Sequence, residues 1–300
     1  MVPQKKRSHV RPQVSYLYRA LVLFALTMVV CSCCSLTNWK SWNQIESETL
    51  RTEIELSETL ISDVRGLVVL VHGLNNSLAV WRPFSEFLNE KGYHVIAPRL
   101  AGHEIRALPS SVSVNSWLLN VEHALEQARV RWADKLIYGV GFSLGGAVLD
   151  AYASRSPESF EKLVLVAPAI HLTGLANSLR ILRTLRLLGL SLPSFTPQKY
   201  RSRAWTSLES YNALFNLSDG SIDPASVAPC RQIWLSPRDG LIAYTESRNW
   251  AERNACSAAD VEVVTPLAVA PAAHPIPVPD MLGETEWRRM TNQILEFFRR

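Results

Sequence analysis

Gly141-Phe142-Ser143-Leu144-Gly145 is the stretch whose setting decides how the rest of the chain is read. Lys135-Leu136-Ile137-Tyr138-Gly139-Val140 before it is an apolar run of strand length, and Gly146-Ala147-Val148-Leu149-Asp150-Ala151-Tyr152-Ala153 after it favours helix. A serine on a one-residue turn from strand to helix is the G-x-S-x-G arrangement that holds a nucleophilic hydroxyl clear of a sheet. So sharp a reversal puts that residue in strained backbone geometry, and side chains in place of the flanking glycines would collide with their neighbours. The helix N-terminus beside it offers free N–H groups and a dipole end that favours developing negative charge. The plain alternative is a tight turn carrying an idle serine.

Working outward, the pattern alternates strand and helix. Leu67–Val71 is an unbroken apolar strand, as expected where both faces are covered, and it ends in His72-Gly73-Leu74-Asn75-Asn76. Ser77 is placed to cap a helix carrying Val80, Trp81, Phe84, Phe87 and Leu88, which Gly92 stops. Tyr93–Ala97 is the next strand, followed by the loop Pro98–His103 and a helix over Val114–Arg131. Further strands are predicted at Lys162–Ala167, Arg231–Leu235 and Asp260–Val264, with helices at Leu241–Asn254 and Glu284–Phe298. Leu50, Thr52, Ile54 and Leu56 alternate with polar residues, the period of a half-buried antiparallel strand at a sheet edge. The fold class is therefore α/β, a mostly parallel central sheet with helices on both faces. From about 169 to 229 the alternation breaks into an insertion. It reads as two helices: a leucine-rich one over Leu175–Leu190 carrying Arg180, Arg183 and Arg186, and a second over Arg203–Phe215.

The chain of 300 residues is 47% hydrophobic, enough for a sizeable core, and its net charge is +4. Five of the cations (Lys5, Lys6, Arg7, Arg11, Arg19) fall within residues 1–32, which hold no acid; without them the balance is −1. A near-neutral remainder offers no basic face for nucleic acid. A basic segment, an apolar run over Ala20–Val30 and then small residues read as an export signal over residues 1–32. Val30-Cys31-Ser32-Cys33-Cys34 resembles a bacterial lipobox, with Cys33 the best lipidation site because Ser32 precedes it. Residues 33–44, with Trp39 and Trp42, then form a tether at the membrane surface, and residues 45–300 the folded domain. The alternatives are an ordinary cleaved signal, or a transmembrane anchor beginning near Val14.

A serine hydroxyl needs a base to accept its proton, and the base needs a partner to fix its tautomer. Sites on open parallel sheets lie at the carboxyl ends of the strands. Asp239 sits just past such an end, and His274 lies in the loop between the last strand and the last helix. Asp219, Asp223, Asp260 and Asp280 are the other acids weighed, and His72 reads as a brace for its own loop. The order Ser143, Asp239, His274 is nucleophile, acid, base. Charge on an acyl carbonyl oxygen would be met by two backbone N–H groups, those of Leu144 and Leu74. Cys230 and Cys256 precede two successive strands, whose shared edge and spacing of about 5 Å place the pair within disulfide reach.

Val71-His72-Gly73, Gly92-Tyr93-His94-Val95-Ile96-Ala97-Pro98, Gly102-His103, the Ser143 turn, Asp239 and His274 together resemble an α/β-hydrolase of the bacterial carboxylesterase and monoacylglycerol lipase group. The resemblance covers about three-quarters of the chain. Glu104 stands where the family often has another glycine, and the His274 loop is rich in proline. The resemblance implies a helical cap inserted after the sixth core strand that covers the serine and binds an acyl chain. It implies a serine ester hydrolase working through an acyl-enzyme on single-chain carboxylic esters, with no cofactor and no metal. The arginines of Leu175–Leu190 either meet lipid phosphates or a fatty carboxylate, or keep one helix face in water. Acyl transfer by the same three residues, and a non-catalytic binding protein of the cell envelope, are the rival functions.

Overall fold

The computed structural model describes residues 53–103, 112–220, 229–268 and 271–300, all within one unit, Arg51–Arg300. The signal segment 1–32, the tether 33–44 with Cys33, and Glu104 and Asp223 lie outside the described residues. The chain opens with β1 (Ile54–Ser57), β2 (Gly66–Val71), α1 (Arg82–Glu90), β3 (Tyr93–Pro98) and α2 (Val114–Arg131). β4 (Ile137–Phe142), α3 (Leu144–Arg155) and β5 (Lys162–Val166) follow. The insertion comes next, as α4 (Gly174–Ser178), a 3₁₀ stretch over Leu179–Leu188, a hairpin of β6 (Ser191–Pro193) and β7 (Trp205–Ser207), and α5 (Leu208–Gly220). β8 (Cys230–Leu235), α6 (Tyr244–Asn254), β9 (Val261–Val263), α7 (Pro279–Leu282) and α8 (Glu284–Arg299) complete it.

The seven-stranded sheet has the order β1-β3-β2-β4-β5-β8-β9. β1 pairs antiparallel with β3 at the edge, and every other pairing is parallel. Helices cover both faces, which is why β2 and β3 are buried at all six of their positions and show no polar alternation. α2 begins where Ser113 and Ser116 cap each other, each hydroxyl accepting the other's backbone N–H at 3.0 and 2.9 Å.

The order has a consequence for the site. The chain leaves β2 for β3 on one side and then crosses to β4 on the other, so the sheet's winding reverses at β2. Ligand sites on such sheets sit at that reversal, outside the carboxyl ends. The loops after β2 and β4 are neighbours there, with Val71 opposite Gly141.

The insertion departs from expectation in two ways. It follows the fifth strand of the described sheet and not the sixth, because β1 alone precedes the parallel set among the described residues. The first predicted helix is α-helical only over α4 and continues as 3₁₀, and the second starts at Leu208 rather than Arg203. Trp205–Ser207 is drawn into the hairpin, and the Ser207 hydroxyl accepts the Ser210 N–H to start α5.

Two covalent or ionic ties fix β8, the strand that leads to Asp239. Arg231 on β8 meets Asp150 on α3 at 2.7 Å, both side chains buried. Burial raises the Asp150 carboxyl and the guanidinium opposes that rise. Cys230 and Cys256 are joined as a disulfide, with Cα atoms 5.1 Å apart and a separation of 26 positions in the chain. Loop-closure entropy for that length is worth about 3.5 kcal/mol. Replacing both cysteines by serine is expected to lower unfolding stability by that amount in urea titrations, with little change when reductant is added to the double variant.

Candidate active site

Ser143 sits at φ 53°, ψ −116° between β4 and α3. This left-handed backbone is costly for a side chain with a Cβ. The surroundings impose it. The Ser143 N–H donates to the Val166 carbonyl at 2.9 Å, and its own carbonyl accepts from Ala169 and Ala147 at 3.0 and 3.2 Å. The flanking glycines are required by contact: a Cβ at Gly145 would overlap the Val71 carbonyl, and one at Gly141 would overlap the Gly145 backbone.

Asp239 and His274 are brought together. Asp239 Oδ1 accepts the N–H groups of Leu241 and Ile242 at 2.9 and 3.1 Å, an arrangement that pins the carboxylate in its own turn. Its Oδ2 lies 2.7 Å from His274 Nδ1. A carboxylate only accepts, so the proton of this hydrogen bond sits on Nδ1 and Nε2 is the nitrogen turned away from Asp239. Nε2 is buried and has no hydrogen-bond partner. The imidazole packs on Phe142, centroids 4.8 Å apart, the residue before Ser143. The proline-rich loop is ordered by its non-proline members. Ile276 and Val278 donate to the carbonyls of His274 and Ile276, and both are buried. The Gly240 N–H donates to the Ala272 carbonyl at 2.7 Å, tying the acid's loop to the base's.

The competing acids are engaged elsewhere. Asp219 pairs with Arg180 and Arg183, Asp260 with Ser257 and Arg300, and Asp280 with Lys199 and Tyr200. Among the described residues no group of three or more His, Cys, Asp or Glu side chains is placed to hold a metal ion.

Leu74 follows β2 and Leu144 follows the Ser143 turn after β4, on the two sides of the reversal point. Leu74 lines a cavity together with Ser143, and Leu144 is the first residue of α3, where N–H groups lack partners within the helix. Two buried histidines cross-brace the Leu74 loop. His72 Nδ1 donates to the Gly73 carbonyl at 2.8 Å, and its Nε2 accepts the Leu100 N–H at 3.1 Å. His103 returns the tie: its Nε2 accepts the Asn75 N–H at 2.7 Å. Desolvation holds both rings neutral, His72 well below its usual value and His103 lowered to about 4. Sequence reading reached His72 as a brace. It missed the role of Asn75, whose left-handed φ of 55° is a conformation asparagine tolerates well and whose place in a loop was the only signal.

The cavity itself measures about 430 Å³. Ser143 and His274 both line it, together with Leu172, Leu175, Leu179 and Leu214 from the insertion. No Asp, Glu, Lys or Arg lines it among the described residues. Tyr211, the one phenol there, is pushed up to about 12 by burial and stays neutral. Arg180 and Arg183 of the insertion face inward onto α5 rather than outward. Arg180 pairs with Asp219 at 2.8 Å and stacks over Phe215 at 4.7 Å. Arg183 bonds Asn212 at 3.0 Å and also Asn216.

A mostly parallel seven-stranded sheet with helices on both faces and a left-handed serine at its reversal point define the α/β-hydrolase fold. A metagenome-derived lipolytic enzyme of the LipS and LipT pair superposes with a TM-score of 0.63 at 18% identity, covering 82% of this chain and 97% of its own. Monoglyceride lipase from Saccharomyces cerevisiae gives 0.63 at 14% identity, covering 83% and 94%. Protein ABHD8 of Mus musculus is 28% identical over 120 residues, 39% of this chain and 27% of its own. The matched stretch thus spans about a quarter of the length of such curated relatives. Residues 62–219, just over half the chain, match the hydrolase family described as serine aminopeptidase, S33, and the chain belongs to that family.

The neutral histidines make one outcome measurable. His103 ionises near its usual 6.5 in the unfolded chain and near 4 in the fold. Between those values only the unfolded chain takes the proton. The stability present above about pH 6.5 is therefore lost as pH falls, levelling out below about 4, a drop of about 3 kcal/mol for this group. Urea midpoints measured across that window are expected to fall less steeply in His103→Gln than in the parent protein.

Proposed function

We propose that the chain is a serine ester hydrolase that cleaves carboxylic esters of single acyl chains, monoacylglycerol and lysophospholipid among them. The observation that carries this reading is the cavity: largely apolar, lined by no Asp, Glu, Lys or Arg among the described residues, and shared by Ser143 and His274, whose Nε2 has no hydrogen-bond partner. A peptide's ammonium terminus would need a carboxylate there, and none lines it among the described residues. An uncharged acyl chain needs nothing further.

In this reading Ser143 Oγ attacks the acyl carbon while His274 Nε2 takes its proton. Asp239 fixes the imidazole's tautomer and stabilises the imidazolium that forms. The oxyanion is met by the N–H groups of Leu74 and Leu144, each worth about 3 kcal/mol of barrier. The alcohol leaves with the proton from His274. Water, deprotonated by the same nitrogen, then attacks the acyl-enzyme and releases the acid. No cofactor enters these steps. The signal over 1–32, lipidation at Cys33 and a membrane-held site of action stand beside this proposal on sequence grounds.

A fluorophosphonate probe is expected to label Ser143 in the parent protein and not in Ser143→Ala. Hydrolysis of monoacyl esters is expected to fall by about three orders of magnitude or more in His274→Ala and Asp239→Asn. Folded protein that is neither labelled nor active on esters overturns the reading.

The inward-facing arginines give a second test. Arg180→Glu with Arg183→Glu sets two carboxylates against Asp219 and strips two cations from Phe215, a wall of the cavity. Hydrolysis of soluble and lipid-dispersed esters is expected to fall together, by a similar factor. Loss confined to dispersed substrate would show that these arginines act at a lipid surface.

A further inference from the structure

The segment Tyr200–Arg203 of the insertion is bonded to the loop that carries Leu74 at every position from Asn75 to Ser77. The Ser77 N–H donates to the Tyr200 carbonyl at 2.7 Å. The Ser202 hydroxyl donates to the Asn76 carbonyl at 2.6 Å. The Ser202 N–H donates to the Asn75 carbonyl at 2.9 Å. The Asn75 side chain then closes on Arg203 in both senses: Nδ2 donates to the Arg203 carbonyl at 2.8 Å, and Oδ1 accepts the Arg203 N–H at 3.1 Å. With its own N–H on His103, all four polar groups of Asn75 are engaged. The residue is 4% exposed.

These bonds reach the Leu74 amide through one peptide unit. The Gly73 carbonyl and the Leu74 N–H belong to the same planar peptide and point in opposite directions. That carbonyl accepts from His72 Nδ1 at 2.8 Å and from the Asn76 N–H at 3.1 Å. Asn76 can hold it only while Asn75 keeps φ at 55°. The far end of the same segment leads through β7 into Thr206, and through Thr196 and Phe195 on the other arm, all of which line the cavity.

We propose that Asn75 is a positioning residue for the ester hydrolysis inferred above: its two-way clamp on Arg203 holds the Leu74 N–H in line for the oxyanion. The hairpin that walls the acyl cavity and the donor that stabilises the transition state are thereby one rigid piece. Asn75 lines the cavity beside Leu74, but in this role it works through the loop backbone and not on the reacting atoms. It acts on kcat through the Leu74 peptide, because a donor displaced by a fraction of an ångström still allows substrate to bind and fails only when charge develops.

Asn75→Gly tests this, since glycine keeps the left-handed backbone and removes the clamp alone. With a soluble single-chain p-nitrophenyl ester, kcat is expected to fall at least tenfold while KM changes less than threefold. A trifluoromethyl ketone bearing the same chain forms an oxyanion on Ser143, and its inhibition constant is expected to rise in step with the loss in kcat. The matching fatty alcohol, which bears no such charge, is expected to bind as before. Should the glycine variant melt below the assay temperature, the isosteric Asn75→Asp retains the acceptor for the Arg203 N–H and loses the donor, and is expected to show the same split. A variant that matches the parent in kcat and in ketone inhibition overturns the inference and leaves the hydrolase reading in place. So does one that loses kcat, ketone affinity and alcohol affinity alike. A parent protein with no hydrolysis and no ketone binding overturns both.

Discussion

The structure depends on a backbone conformation that one residue would not choose. Ser143 at φ 53° is held there by bonds to β5 and to the residues just after it, and by a packing gap so narrow that only hydrogen fits at Gly145 against the Val71 carbonyl. That contact is also what brings the end of β2 against the start of α3. The strain at the serine and the closeness of the two amide-bearing loops are therefore the same fact. Loosening the elbow would lengthen the distance between Leu74 and Leu144 as well as relax Ser143. The cost of the strained residue is met by the burial of the strands on either side, whose apolar positions are almost wholly removed from water.

Legibility from the sequence followed how each feature is encoded. The parallel strands, the antiparallel edge and α2 were readable because burial on two faces, on one face, and on a helical stripe each leaves its own period. α2 spans Val114–Arg131, the range its apolar positions predict. Ser143, Asp239 and His274 could be selected because strand ends restrict where chemistry sits. The insertion was harder. Its 3₁₀ stretch keeps leucines at spacings that also fit an α-helix, and its hairpin has strands of three residues, too short to show alternation. The arginines misled for a simple reason: composition shows that a charge is present, while only the fold shows that Asp219, Asn212 and Asn216 wait for it on α5. The strap over Asn75–Ser77 was illegible because each of its bonds has a backbone group on at least one side, which any residue supplies, and joins residues far apart in the chain.

The insertion is thus less a loose lid than a walled extension of the sheet's edge. Arg180 and Arg183 bind its two helical arms to each other, and Lys199 and Tyr200 bind its middle to Asp280, just beyond the loop of His274. Tyr200 contributes its carbonyl to the Leu74 side and its hydroxyl to the His274 side. One residue of the cap therefore spans both halves of the site. Parts with so many fixed partners move little, so the cavity is largely formed before any substrate enters.

Charge placement completes the logic. No Asp, Glu, Lys or Arg lines the cavity among the described residues, and the two histidines behind the Leu74 loop are kept neutral by burial. Neutrality matters there for geometry before electrostatics. His103 Nε2 accepts the Asn75 N–H only while that nitrogen keeps its lone pair. A proton on it would turn an acceptor into a second donor facing the first, and the loop would lose one of the bonds that set the Leu74 peptide. The lowered ionisation of His103 therefore does for the loop what Asp239 does for His274: each fixes which nitrogen gives and which receives. One pairing orients the His274 ring and the other the loop that carries Leu74, and each rests on a hydrogen bond at a buried imidazole nitrogen.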